Sequence, residues 1–265
     1  MSVFDAALQL KPGKEEGQWT GQTHPGFQNM IGPYGGWSAA ILAKAILEQT
    51  EDDLELVSLT VDFLSAIPDG AVVIEVQCDR AGKGTSFWSA RLLSHQTQAV
   101  CCKASAVVAR RKDTLEWTEP SMPDVEAPEN LERVNLPVAW AQTLDLRMAK
   151  NMPFQGMDTT WSAAWARLDD TAGLDALRLI ALSDSPAPRV FMRVTEPQMI
   201  STVSLTLYLH ACAEDFARAS DGWVLAEAEG ARGTRGFFDQ HARLWSREGV
   251  LLATSQQTVW YRTPA

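Results

Sequence analysis

A carboxylate, an amide and a hydroxyl stand out among the polar residues of the second half: Asp184, Gln257 and Thr202. Asp184 follows the apolar run Leu177, Leu179, Ile180, Ala181 and Leu182, so its carboxyl is carried to the edge of a buried element. Partial burial raises the pKa of a carboxyl and makes it a better general base. The same residue also reads as a helix N-cap, because Ser185-Pro186 follows it. Gln257 shares the more apolar face of its strand with Leu251, Ala253, Ser255 and Val259. A buried amide there needs polar partners, whether in a site or in a satisfied core. Thr202 can present a hydroxyl, and threonine is equally an ordinary strand residue.

Other chemistries lack their signatures. No GxSxG elbow is present for a hydrolase serine. His24, His95, His210 and His241 show neither HExxH nor metal-type spacing. Gly82-Lys83-Gly84 reads as a turn between strands, not a nucleotide fingerprint. Cys78, Cys101, Cys102 and Cys212 form no CxxC and read as small buried hydrophobes. The formal net charge of -10 argues against nucleic acid, which needs a basic field.

The elements that must position these residues are legible from periodicity. From Pro33 to Thr50 a glycine pair, Gly35 and Gly36, opens an apolar run that only Ser38 and Lys44 interrupt before Leu47. A helix apolar nearly all round must be buried on most sides. Val57, Leu59, Val61 and Phe63 then alternate with polar residues, as do Val72, Ile74, Val76 and Cys78. This is the period of strands with one buried face. Two further runs, 85–93 and 99–109, complete an antiparallel set, and a short strand near Trp19 precedes the helix. Between 112 and 137 four prolines sit among acids, which reads as an extended connection.

The second half repeats the first. Ser58-Leu59-Thr60 is echoed by Ser204-Leu205-Thr206, Asp69-Gly70 by Asp221-Gly222, and Ala90-Arg91-Leu92 by Ala242-Arg243-Leu244. Self-similarity at half the chain length implies duplication of one unit. The expected fold is α+β: a tandem (double) hot-dog, each half a curved antiparallel sheet around a buried helix. The expected division is 1–111 for the first unit, 112–137 for the linker and 138–265 for the second unit. In this alignment Thr202 falls on Leu56 and Gln257 on Ala106, polar against apolar. The first helix also offers no acid in its opening turn to match Asp184. The asymmetry points to one competent site in the second half and a degenerate one in the first.

From about Thr20 to Arg262 the chain resembles the double hot-dog acyl-CoA thioesterases called thioesterase II. The best-matched pieces are the glycine pair, the strand around Thr202, and the closing stretch GVLLATSQQTVWYR. The resemblance implies hydrolysis of a fatty or aromatic acyl-CoA to free acid and CoA. It implies that Asp184, in Leu182-Ser183-Asp184, Thr202 and Gln257 hold the attacking water. If they do, each must reach within ~3 Å of a common point. A helix-start N–H, of Gly36 beside Gly35, would polarise the thioester carbonyl. Arg232 and Arg235, flanking a glycine-rich turn, could meet the CoA phosphates. No metal, cofactor or covalent intermediate is needed. Two departures from the family pattern, Ser204-Leu205 and the prolines 186 and 188, bear on substrate preference. A hot-dog enoyl-CoA hydratase and a non-catalytic acyl-CoA or lipid-binding protein are the alternatives. No apolar run approaches the ~20 residues of a membrane span. The start, with an early acid and no signal-type apolar core, suggests a cytoplasmic protein. A homo-oligomer, a dimer of double hot-dogs, is expected.

Overall fold

A computed structural model describes residues 1–51, 53–170 and 172–262. The short leading helix α1 is Val3–Ala7 and the buried helix of the first half is α2, Gly35–Leu47. The helices of the second half are α3 (Ala139–Gln142), α4 (Ala176–Leu182), α5 (Val190–Arg193) and α6 (Ala213–Arg218). The first half supplies β1 (Lys11–Pro12), β2 (Gln18–Gln22), β3 (Glu55–Phe63), β4 (Ala71–Ala81), β5 (Thr85–Ser94) and β6 (Val100–Ala109). The second supplies β7 (Leu144–Lys150), β8 (Ser162–Leu168), β9 (Met199–Leu209), β10 (Val224–Glu229), β11 (Gly233–Thr234), β12 (Phe237–Ser246) and β13 (Leu251–Arg262).

All thirteen strands belong to one antiparallel sheet in the order β1-β2-β4-β5-β6-β3-β9-β13-β12-β10-β8-β7, with β11 beside β12. The halves join edge to edge through β3 and β9, in a register centred on Thr60 opposite Thr206. The two threonine hydroxyls hydrogen-bond at 3.1 Å across this pseudo-twofold axis. The double hot-dog expected from the sequence is the fold observed. No helix among the described residues is long and apolar enough to cross a membrane.

The halves are unequal inside. Helix α2 has 13 residues, and its whole run from Gly36 to Ala43 is buried. Helix α4 has 7 residues and stops at Leu182. Asp175, not Asp184, caps α4, accepting from the Arg178 N–H. The N-cap reading of Asp184 is not realised either: the residue follows the end of α4, and the next helix, α5, has Arg189 as its N-cap. Strand β7, absent from the sequence reading, pairs with β8 at the sheet edge.

The stretch 112–137 contains only one short helical turn, Pro128–Asn130. Met122, Val125 and Leu131 pack on a separate apolar cluster of Trp165, Trp223, Leu225 and Trp245. The Trp165 indole N–H donates to the Glu126 carbonyl at 2.9 Å. This stretch is thus a strap over the second half's sheet as well as a connection.

The start of α2 meets the end of α4 closely enough to require glycine. A Cβ on Gly36 would lie 2.3 Å from the Ala181 carbonyl oxygen and 2.5 Å from Tyr34 Cε1. Tyr34 closes the junction, donating its hydroxyl to Ala181 O at 2.7 Å while stacking on Trp140. Gly36→Ala should therefore lower stability by about 1–3 kcal/mol, the scale of overpacking a tight contact. A urea denaturation midpoint equal to the native one would show that the junction yields without cost.

Candidate active site

The sheet register carries two of the candidate side chains to one place. Residues Val57 and Val203 sit at matching bulges, so Leu56 pairs with Val108 as Thr202 pairs with Val259. Two rungs on, Leu59 pairs with Ala106 as Leu205 pairs with Gln257. Thr202 and Gln257 are thus the structural counterparts of Leu56 and Ala106, as the internal repeat indicates. In the first half both positions are buried in the apolar core.

The third side chain arrives from the end of α4. Gln257 donates through Nε2 to Asp184 Oδ1 at 3.0 Å. Thr202 donates through Oγ1 to Gln257 Oε1 at 3.5 Å. The three side chains form one contiguous polar chain with the amide in the middle. Gln257 is buried, while Asp184 and Thr202 retain some accessible surface.

The carboxyl is held up to about 7 by burial, against the opposing pull of the Gln257 hydrogen bond and of the Gly36 N–H. A folded-state value near neutrality suits a general base. Burial, and then the Asp184 charge, pushes the Tyr34 hydroxyl well above its ordinary value. Gly35 is what permits this approach: a Cβ there would lie 2.7 Å from Asp184 Oδ2 and 3.4 Å from Phe63 Cζ. The glycine pair and Asp184 are thus brought together. The Gly36 N–H, expected to polarise a substrate carbonyl, also lies close enough to the carboxyl to lower its pKa.

Arg232 and Arg235 are both exposed on the loop around β11. The Arg232 backbone N–H donates to Asp239 Oδ1 at 2.7 Å, and Arg235 has φ +49°. Neither side chain forms an ion pair among the described residues. The loop leads into the row Phe238, Val259 and Thr202, which places it across two strands from the polar chain.

The histidines do other work. His24 accepts from the Gly26 N–H at a helical turn, His210 meets Thr254, and His241 pairs with Asp239. Among the described residues no group of three His, Cys, Asp or Glu is placed to hold a metal. The sequence reading missed Tyr34 and Phe63. Tyr34 is adjacent to the glycine pair, but only its contact with Ala181, 147 positions away, reveals its part.

Residues 118–261 match the family described as acyl-CoA thioesterase C-terminal domain, and residues 24–109 the corresponding N-terminal domain. A conserved hot dog fold protein of unknown function from Alicyclobacillus acidocaldarius is 31% identical, with TM-score 0.94 over 100% of both chains. An acyl-CoA thioesterase II, TesB2, from Mycobacterium marinum is 17% identical, with TM-score 0.79 over 99% of each chain. The tesB protein of Mycobacterium avium subspecies paratuberculosis is 18% identical, with TM-score 0.80 over 98% of each chain. The last two likenesses show the fold. No curated protein matches the sequence significantly.

The raised carboxyl has a consequence for stability. An acid that binds its proton more tightly in the folded than in the unfolded state costs stability as pH rises between the two pKa values. For Asp184 that window runs from near 3.8 to about 7. Asp184→Asn removes the loss, so the variant's gain in melting temperature over the native protein should grow across the window and level off above it. A difference that does not vary with pH would mean that Asp184 ionises normally.

Proposed function

The chain belongs to the acyl-CoA thioesterase family, and from that premise we propose that it hydrolyses a fatty or aromatic acyl-CoA by direct attack of water. The observation that carries this reading is the contiguous chain from Thr202 through Gln257 to Asp184, set against the start of α2. Asp184, ionised, accepts a proton from the water as its oxygen attacks the thioester carbonyl. The Gln257 amide and the Thr202 hydroxyl fix that water. The tetrahedral intermediate collapses with cleavage of the C–S bond, and the proton held by Asp184 passes to the departing thiolate. Free acid and CoA result, and the carboxylate is regenerated.

The negative charge that develops on the carbonyl oxygen needs donors. First-turn N–H groups of a helix have no intrahelical acceptor, and the helix dipole favours an anion there. The first-turn N–H groups of α2, those of Gly35 and Gly36, take the oxyanion role. Arg232 and Arg235, free of ion pairs among the described residues, are the groups we assign to the CoA phosphates.

Thiol release followed with DTNB across acyl-CoA lengths tests the reading. Turnover should rise with pH through about 7 as Asp184 loses its proton. Asp184→Asn should lower it by at least ~100-fold, the usual scale for loss of a general base, in a protein that remains folded. Near-native turnover in that variant would remove Asp184 from the mechanism. Acyl-CoA binding without any thiol release would make the protein a carrier instead.

A further inference from the structure

Five positions beyond Asp184 lies an arginine that the proposed hydrolysis does not use and that stability alone does not explain. Arg189 is 1% exposed. Its Nε donates to Ala187 O at 3.0 Å and to Gln240 Oε1 at 3.1 Å. Its Nη1 donates to Thr160 O at 2.7 Å, Ser162 Oγ at 2.9 Å and Ala228 O at 2.9 Å. Its Nη2 also reaches Ala187 O. Every one of these acceptors is neutral. Burial lowers the guanidinium to about 10, with no carboxylate acting against it, so it remains charged at neutral pH.

A buried charge without a counter-charge is expensive, and an apolar side chain of similar volume usually serves packing better. What a guanidinium adds is geometry: a planar, rigid fork of donors. Here the fork reaches the segment before β8, the first residue of β8, strand β10 and strand β12. It ties to all of them the segment 183–189, which carries Asp184. Pro186 and Pro188 limit how far that segment can bend between its two ends. The acceptor Gln240 sits directly opposite Gln257 in the β12–β13 ladder, and Gln257 is the partner of Asp184. The loop of the base and the strand row of its partner are therefore clamped by the same side chain. Gly230 leaves room for its stem, since a Cβ there would lie 3.2 Å from Arg189 Cγ.

We infer that Arg189 is a positioning residue for the hydrolysis, holding the Asp184 segment against the strand row of Gln257; this rests on the proposed role of Asp184. Arg189 touches no reacting atom, so its loss should lower kcat and spare KM. Loosening the Gln257–Asp184 hydrogen bond, which pulls the carboxyl down, should also move the acid limb of the pH profile upward.

The test compares native protein, Arg189→Met, Arg189→Lys, Gln240→Met and Asp184→Asn by thiol release, pH profile and thermal melting. Arg189→Met should keep its melting temperature within a few degrees and KM within about threefold. It should lose on the order of 30-fold to 100-fold in kcat, the effect of misplacing a reacting group by about 1 Å. Arg189→Lys keeps the charge without the fork and should show the same loss. If Arg189→Met does not fold, a folded Arg189→Lys or Gln240→Met decides. A folded variant with kcat within threefold of native and an unshifted acid limb overturns the inference. So does a loss that tracks only the folded fraction. If Asp184→Asn keeps its activity, the reading of Asp184 as base fails instead, and the two failures are distinguishable.

Discussion

The approach of the α2 N-terminus to Asp184 is the constraint around which the rest of the molecule is arranged. The N-cap residue of α2, Tyr34, makes no side-chain capping bond. The carboxyl that approaches this helix start comes from the other half of the chain, where Asp184 follows the last turn of α4. A carboxylate and a helix start attract each other, yet burial works against the charge. The balance leaves a carboxyl near neutrality at a junction that two glycines and one tyrosine hydroxyl hold closed. Lengthening α4, or putting a side chain on Gly35, would break this contact before it disturbed any strand.

The near-symmetry of the sheet shows what the duplication kept and what it gave up. The Thr60–Thr206 contact joins the halves across the seam, and matching bulges at Val57 and Val203 recur in the ladders on either side of it. Leu56 and Ala106 have instead joined the apolar core. Filling that point with hydrocarbon adds buried apolar area without a polar group to satisfy. The polar chain at Thr202 and Gln257 is the reverse choice.

Much of this was legible in the amino-acid order because it depends on local periodicity. The alternation from Val57 to Phe63, the apolar helix after Gly36 and the repeated Ser-Leu-Thr all report nearest-neighbour geometry. The assignment of Gln257 to Ala106 followed from the repeat, and the bulges place it in register. Asp184 was harder. Its position before Ser185-Pro186 looks like a local cap, whereas the helix it faces begins at Gly35 in the other half. Arg189 was hidden for a similar reason. An arginine next to prolines and a helical turn resembles solvated surface, and nothing local announces that four neutral acceptors from three distant segments surround it. Long-range polar contacts leave no period in a sequence.

The seam between β3 and β9 also changes how the site responds to dilution. Gly35 and Gly36 come from one half, while Asp184, Thr202 and Gln257 come from the other, so neither half holds the whole candidate site. Two separate chains would have to meet to assemble it, and the assembled fraction would fall as they were diluted. Here the halves are joined covalently, and the strap on the Trp165–Trp223–Trp245 cluster fixes the joining segment to the second half. The encounter becomes intramolecular, with an effective concentration set by the tether and not by the solution. Completeness of the site is then a property of each molecule, however scarce the protein.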